Sequence, residues 1–304
     1  MRPVRPTPLR RLIALVAVLV ALVAGAAACS GKEATDASPD TTAETTTVTT
    51  PAPAASLIAT AKTPKLIVFA EPPAELRTES TASTTTTAPT RNARPPIPRS
   101  GLNSAGVAKV ALGYQFDNPT YFQNPLVMQV LEQHGDWLKV LIQARPNHTE
   151  GWVKAGDVDV TSTTYRMVLS LADRHLTVYD GDAVVAETDV VIGKDTTPTP
   201  LGRFYLSEKI KQKNPGGAYG PWILSTNGYS EALDLFDNGL PVIAFHGTNQ
   251  PELIGTQASN GCIRMPNDVV TKLAELLPAG TPIEIVAESL KAAPSTDTTI
   301  ATAA

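Results

Sequence analysis

Apolar positions along the chain fall into three textures. Leu12–Ala28 is one uncharged run of seventeen residues. From there to about residue 100 apolar residues are thin, with one short strand-like run, Leu66-Ile67-Val68-Phe69. Beyond Gly106, hydrophobic and polar positions alternate in short stretches bounded by turn residues, the period of half-buried strands. The first of these are Pro125–Leu131, Trp137–Ile142 and Trp152–Lys154. Then come Arg166–Leu171, Leu176–Tyr179, Ala183–Val191, Gly202–Leu206, Pro241–His246 and Pro282–Val286. Turns such as His134-Gly135-Asp136 and Asp180-Gly181-Asp182 separate them. One segment, Asn267–Leu277, has the period of a helix, with Asn267 placed as its N-cap and Pro278 and Gly280 stopping it. The pattern predicts a mainly β protein: a small β domain, then a β-sandwich or barrel with one packed helix.

Composition sharpens that division. Fifteen of the sixteen aromatic residues of this 304-residue chain follow position 100, Phe69 being the exception. Residues 30–100 hold 17 Thr and 10 Pro, too little apolar bulk to offset the entropy of folding. The folded mass is therefore expected in the last two-thirds. Two cysteines exclude a disulfide-dense scaffold and an all-Cys zinc or iron–sulfur site. Four histidines without an H-x-x-x-H pair argue against a metal enzyme, so no metal and no cofactor is expected. A net charge of −4 with no basic cluster in the folded part argues against nucleic acid.

The N-terminus reads as an address. Met1–Arg11 holds four arginines and no acid, the apolar run follows, and small residues lead to Cys29. That is the layout of an export signal, whether uncleaved, cut after an A-x-A, or cut before Cys29. Gly25-Ala26-Ala27-Ala28-Cys29 resembles a bacterial lipobox, with Ala26 where Leu is more common. The resemblance implies that Cys29 is acylated and holds an exported protein at the outer face of the cytoplasmic membrane. Loss of residues 1–28 takes the net charge from −4 to −8.

The expected organisation is a signal over 1–28, a Thr/Pro/Ala tether over 29–55, a small β domain over 56–162 interrupted at about 71–104, a larger β domain over 163–288 and a tail over 289–304. Extended, the tether would reach roughly 80 Å. The G-D-W-L-K-V and G-W-V-K segments at residues 135–140 and 151–154 resemble a bacterial SH3-like domain. Long insertions cost little extra closure entropy, which allows the interruption. Trp137 and Trp152 are read as core, and His134 and His148 as solvated turn residues.

Chemistry concentrates late in the chain. Cys262 is the sole cysteine of the expected folded part, so in an exported protein it has no disulfide partner in its own chain. Such a thiol is either a buried small hydrophobe or a nucleophile that needs a base beside it. His246 ends an apolar strand sixteen positions earlier. Strand period puts Cys262 and Arg264 on one face, with Ile263 and Met265 turned to the core. It likewise groups His246 with Ala244 and Val242, opposite Ile243 and Phe245. Gly261 allows close backbone approach to the thiol.

His246-Gly247-Thr248, Ser259-Asn260-Gly261-Cys262-Ile263-Arg264-Met265, Thr197–Phe204 and Gly220-Pro221-Trp222 resemble the YkuD-type L,D-transpeptidases of bacterial cell walls. The likeness spans about residues 165–287, and Asn260 departs from the His that several members carry. It implies that Cys262 is the nucleophile, that His246 takes its proton, and that the Ser259 carbonyl orients His246. Backbone N–H groups at Gly261 and Cys262 would form the oxyanion hole. Arg264 would bind a donor carboxylate or make a structural ion pair, with Gly247, Thr248, Asn260 and Trp222 lining the substrate site. The implied reaction releases D-Ala from a donor tetrapeptide of peptidoglycan, passes through a thioester and forms a 3→3 crosslink with an acceptor stem. Carbapenem-type β-lactams would acylate the same thiol. Alternatives are an L,D-carboxypeptidase, attachment of proteins to peptidoglycan, and a non-catalytic wall-binding lipoprotein. A papain-like protease fits poorly, because here the histidine precedes the cysteine.

Overall fold

The structure is a computed structural model that describes residues 55–77, 108–237 and 239–290. The expected signal, Cys29, nearly all of the tether, most of the 71–104 insertion and all but the start of the tail lie outside the described residues.

The first eight strands form one antiparallel sheet. They are β1 (Ser56–Ala61), β2 (Lys65–Phe69), β3 (Ala108–Val110) and β4 (Gly113–Asp117), followed by β5 (Val127–His134), β6 (Trp137–Leu141), β7 (Glu150–Lys154) and β8 (Val158–Thr163). A single helical turn, α1 (Ala74–Arg77), follows β2. The spatial order is β3-β4-β2-β7-β6-β5-β1-β8. Alternation puts Leu66, Val68, Leu138, Val140 and Val153 into one buried cluster with Phe116. Trp137 and Trp152 fall on the opposite parity and correct the reading of them as core. They are half-buried on the outer face, Trp137 against Phe69 at 5.3 Å and Trp152 against His134 at 5.5 Å between ring centroids.

The second sheet begins with β9 (Tyr165–Ser170), β10 (His175–Asp180) and β11 (Ala183–Asp189). A two-residue strand, β12 (Ile192–Gly193), precedes β13 (Gly202–Lys211), β14 (Trp222–Tyr229) and β15 (Val242–His246). The short β16 (Gln257–Ser259) and β17 (Ile263–Arg264), the helix α2 (Asn267–Leu276) and β18 (Pro282–Val286) complete the chain. The order is β11-β10-β9-β18-β13-β14-β15-β17, with β12 and β16 paired separately. Pairing is antiparallel except at β9–β18, β15–β17 and the separate β12–β16 pair, so the mainly β reading with one substantial helix holds.

Helix α2 turns Val270, Leu273 and Ala274 into the core formed with Phe204, Leu224 and Phe245. Lys209 Nζ donates to the carbonyls of Ala274 and Leu277, both at 2.9 Å, placing a cation at the negative end of the helix. Asn267 is the first helical residue rather than the N-cap, and Pro266 takes the cap position. The Asn267 side chain is directed elsewhere, as described below.

The two sheets meet through a dense interface. Ile58, Val127 and Leu141 of the first pack with Tyr205 of the second. The β6–β7 connection reaches across: Gln143 Nε2 donates to Thr226 O, and Asn227 Nδ2 donates to Ile142 O. His148 is an exposed turn residue, as read from the chain, and one side of its ring lies beside Phe204 at 5.1 Å. Partial desolvation of the ring lowers its pKa.

Candidate active site

The site is built where β15 and β17 run side by side. Phe245 pairs with Ile263 and His246 with Arg264, so the residues after Gly261 are held against the end of the histidine strand. Ile243, Phe245, Ile263 and Met265 are fully buried in the core, as strand parity requires. Their neighbours Val242, His246, Cys262 and Arg264 line a cleft of about 150 Å³ on the other face. Ala218, Tyr219, Leu233, Phe236 and Pro241 line the same cleft.

The Ser259–Cys262 turn is tied from within and from behind. Ser259 Oγ accepts the Gly261 N–H at 3.1 Å and donates to the Cys262 carbonyl at 2.5 Å. Thr197 Oγ1 donates to the Ser259 carbonyl and Thr199 Oγ1 to the Gly261 carbonyl. The Thr-Pro-Thr segment is thus the back wall of the turn. Gly261 has φ +113°, and a Cβ there would sit 3.0 Å from Ile243 Cδ1, so both conformation and space call for glycine.

Two expected contacts differ. The His246 ring bonds through Nδ1 to the carbonyl of Gly247 at 2.6 Å, and not to that of Ser259. The Ser259 carbonyl already receives the Lys194 N–H and the Thr197 hydroxyl, which occupies both of its lone pairs. The Gly261 N–H, expected in an oxyanion hole, is engaged by Ser259 Oγ.

Electrostatics set the resting state. His246 is 4 % exposed, and burial, reinforced by the Arg264 charge, pushes its pKa down to about 4. Burial pushes the Cys262 thiol up, against smaller opposing effects of a hydrogen bond with the Ala244 backbone and the Arg264 charge. Both shifts favour a neutral imidazole and a neutral thiol in the same cleft at physiological pH. The thiol makes a long contact to the Val242 carbonyl at 3.8 Å. Arg264 bonds to the Gln250 side-chain oxygen at 3.2 Å, and among the described ion pairs it has no carboxylate partner. Among the described residues no group of three His, Cys, Asp or Glu side chains is placed to hold a metal ion.

A family model for the YkuD L,D-transpeptidase catalytic domain matches residues 164–285. A Bacillus licheniformis protein named L,D-transpeptidase YkuD is 34% identical over 154 residues, covering 48% of this chain and 85% of that one. Its namesake in Bacillus subtilis is 32% identical over 151 residues, covering 48% of this chain and 84% of the other. The chain belongs to the YkuD L,D-transpeptidase family. A solved structure of the E. faecium L,D-transpeptidase catalytic domain acylated by ertapenem is 27% identical, covers 41% of this chain and 98% of that one, and has a TM-score of 0.31.

Within this YkuD domain the expected substrate residues divide. Asn260 and Arg264 line the cleft. Gly247, Thr248 and Trp222 are not part of its wall. Gly247 N–H donates to the Trp222 carbonyl at 3.3 Å, and Thr248 N–H donates to Asn267 Oδ1 at 2.8 Å, so these residues brace the end of β15. The Trp222 ring is half-buried at the margin of the core. Tyr219, which sequence reasoning passed over, stands edge-on to His246. Its signal was an aromatic residue set among Gly216, Gly217 and Gly220.

Proposed function

We propose that this YkuD-family protein is a cysteine-dependent L,D-transpeptidase that forms 3→3 peptidoglycan crosslinks. The observation that carries the reading is Cys262, His246 and Arg264 lining one cleft, with no carboxylate paired to Arg264 among the described residues. Neutral His246 takes the Cys262 proton as sulfur attacks the carbonyl between the third residue and D-Ala of a donor tetrapeptide. The Cys262 N–H faces the developing oxyanion, since the Gly261 N–H is committed to Ser259. Collapse expels D-Ala, whose amine takes the proton from His246, and leaves a thioester. The side-chain amine of an acceptor stem, losing its proton to His246, then attacks the thioester and releases Cys262. Arg264 holds a stem carboxylate, and Ser259 shapes the turn rather than orienting the imidazole. A β-lactam carbonyl such as that of a carbapenem would acylate Cys262 in the same way.

The export signal and Cys29 support placement of the enzyme by lipid at the outer face of the cytoplasmic membrane, with residues 29–55 as a tether. The first sheet would be an SH3-like spacer fixed to the catalytic domain. Mass spectrometry of the mature N-terminus tests the anchor: diacyl or triacyl Cys29 is expected, and a free residue there overturns it. For the activity, purified protein is incubated with disaccharide-tetrapeptide. Crosslinked dimer, released D-Ala and a thioester mass on Cys262 are expected. Tripeptide alone would make the protein a carboxypeptidase, and full activity in Cys262→Ala would remove the cysteine mechanism.

A further inference from the structure

One wall of the cleft is clamped by the neighbouring sheet. Residues 230–237 and 239–241 lie between β14 and β15, and the two ends are pinned where Ser230 N–H bonds to the Pro241 carbonyl at 2.8 Å. Loops of this kind, with their ends pinned together, are often functional. Leu233, Phe236 and Pro241 of this loop line the same cleft as Cys262 and Arg264. Phe236, 41 % exposed, offers apolar surface to whatever lies there.

The loop's first turn is gripped by the β6–β7 connection of the other sheet. Arg145 donates to the carbonyls of Ser230 at 3.2 Å and Leu233 at 2.9 Å, and its guanidinium lies over the Tyr229 ring at 5.3 Å. Asn147 meets the Tyr229 backbone twice, accepting its N–H at 2.9 Å and donating to its carbonyl at 2.8 Å. A charged donor forked onto two carbonyls three residues apart fixes the turn that aims the Leu233 side chain. We propose that Arg145 is a positioning residue for substrate: through Leu233 it sets the apolar wall against which the donor stem rests, so the first β domain completes the binding site of the second. This rests on the cysteine transpeptidase reading and assigns the wall a part in it.

The test is steady-state kinetics on disaccharide-tetrapeptide with Arg145→Ala, Leu233→Ala and the double variant, alongside the rate at which iodoacetamide alkylates Cys262. Arg145→Ala is expected to raise KM about tenfold while kcat changes much less. Leu233→Ala should do likewise. The double variant should be no worse than either single one, because both act through the same wall. Arg145→Lys, which keeps a donor and packing over Tyr229, should recover part of the affinity. An unchanged KM in Arg145→Ala overturns the proposal, as do additive effects in the double variant. Loss of activity that merely follows the folded fraction in all Arg145 variants, with KM constant, overturns it too. Absence of any turnover by the unaltered protein would instead strike the transpeptidase reading, and alkylation of Cys262 then shows whether its thiol is still reactive.

Discussion

The ring of Tyr219 meets the imidazole of His246 edge to face, with 5.0 Å between centroids. Tyr219 comes from the glycine-rich connection before β14 and covers a deeply buried titratable group of the cleft. Since burial is the main cause of the low His246 pKa, removing the cover should reverse part of it. Tyr219→Ala is expected to raise the His246 pKa from about 4 toward the ordinary value of 6.5. An NMR titration of the His246 ring protons checks this, and an unmoved midpoint would show that the strand environment alone buries the imidazole.

A neutral thiol and a neutral imidazole sharing one cleft have a kinetic signature. A preformed thiolate–imidazolium pair would keep Cys262 reactive down to acidic pH, but here burial moves the two pKa values apart. Alkylation of free Cys262 by iodoacetamide should therefore climb with pH to a midpoint above the usual thiol value of about 8.5, with no reactive plateau in acid. Arg264 lowers the thiol pKa through its charge. Arg264→Gln should move the midpoint further up and slow alkylation at neutral pH. A plateau between pH 5 and 7 would contradict the neutral pair.

Burial of neutral His246 also links stability to pH. The unfolded chain binds a proton at this residue near 6.5, whereas the folded one resists until about 4. Between those values the unfolded state holds more protons, so acid favours unfolding. The contribution is complete above pH 6.5 and is lost as pH falls toward 4, about 3 kcal/mol in all. Urea denaturation of the protein and of His246→Gln at pH 7 and pH 4.5 measures it. The variant should lose less stability across that interval, and parallel losses would assign the acid sensitivity to other groups.

Strand parity alone made much of this architecture legible. Ile263 and Met265 against Cys262 and Arg264, or Phe245 against His246, follow from alternation once the strands are recognised. β14 escaped because Ser225, Thr226 and Asn227 are polar yet buried. They are satisfied by bonds no local pattern reveals, such as Thr226 Oγ1 to the Ile243 carbonyl and Asn227 Oδ1 from the Tyr205 N–H. Asn267 was misplaced for a related reason. Its residue type suits an N-cap, but Thr248, nineteen positions away, offers a backbone donor at 2.8 Å. Site residues on the histidine and cysteine segments could be named from the chain, whereas Tyr219, Leu233 and Phe236 reach the cleft through loops whose course only the fold determines.

The interface between the sheets holds an ionisable group where neutrality is favoured. Glu208 of β13 is 1 % exposed, with Oε2 receiving Asn124 Nδ2 at 3.3 Å and Oε1 unpartnered. Burial raises its pKa above the ordinary 4.5, outweighing hydrogen bonds from Asn124 and Thr120 that lower it. The linkage is opposite in sign to that of His246. The folded state binds this proton more tightly than the unfolded chain does, so stability is full below pH 4.5 and falls as pH rises through the raised value. Glu208→Gln keeps an acceptor for Asn124 and cannot ionise. It should match the unaltered protein near pH 4 and exceed it at pH 8, read from urea midpoints at both pH values. A variant less stable at pH 8 would mean that the ionised carboxylate is itself bound favourably between the two sheets.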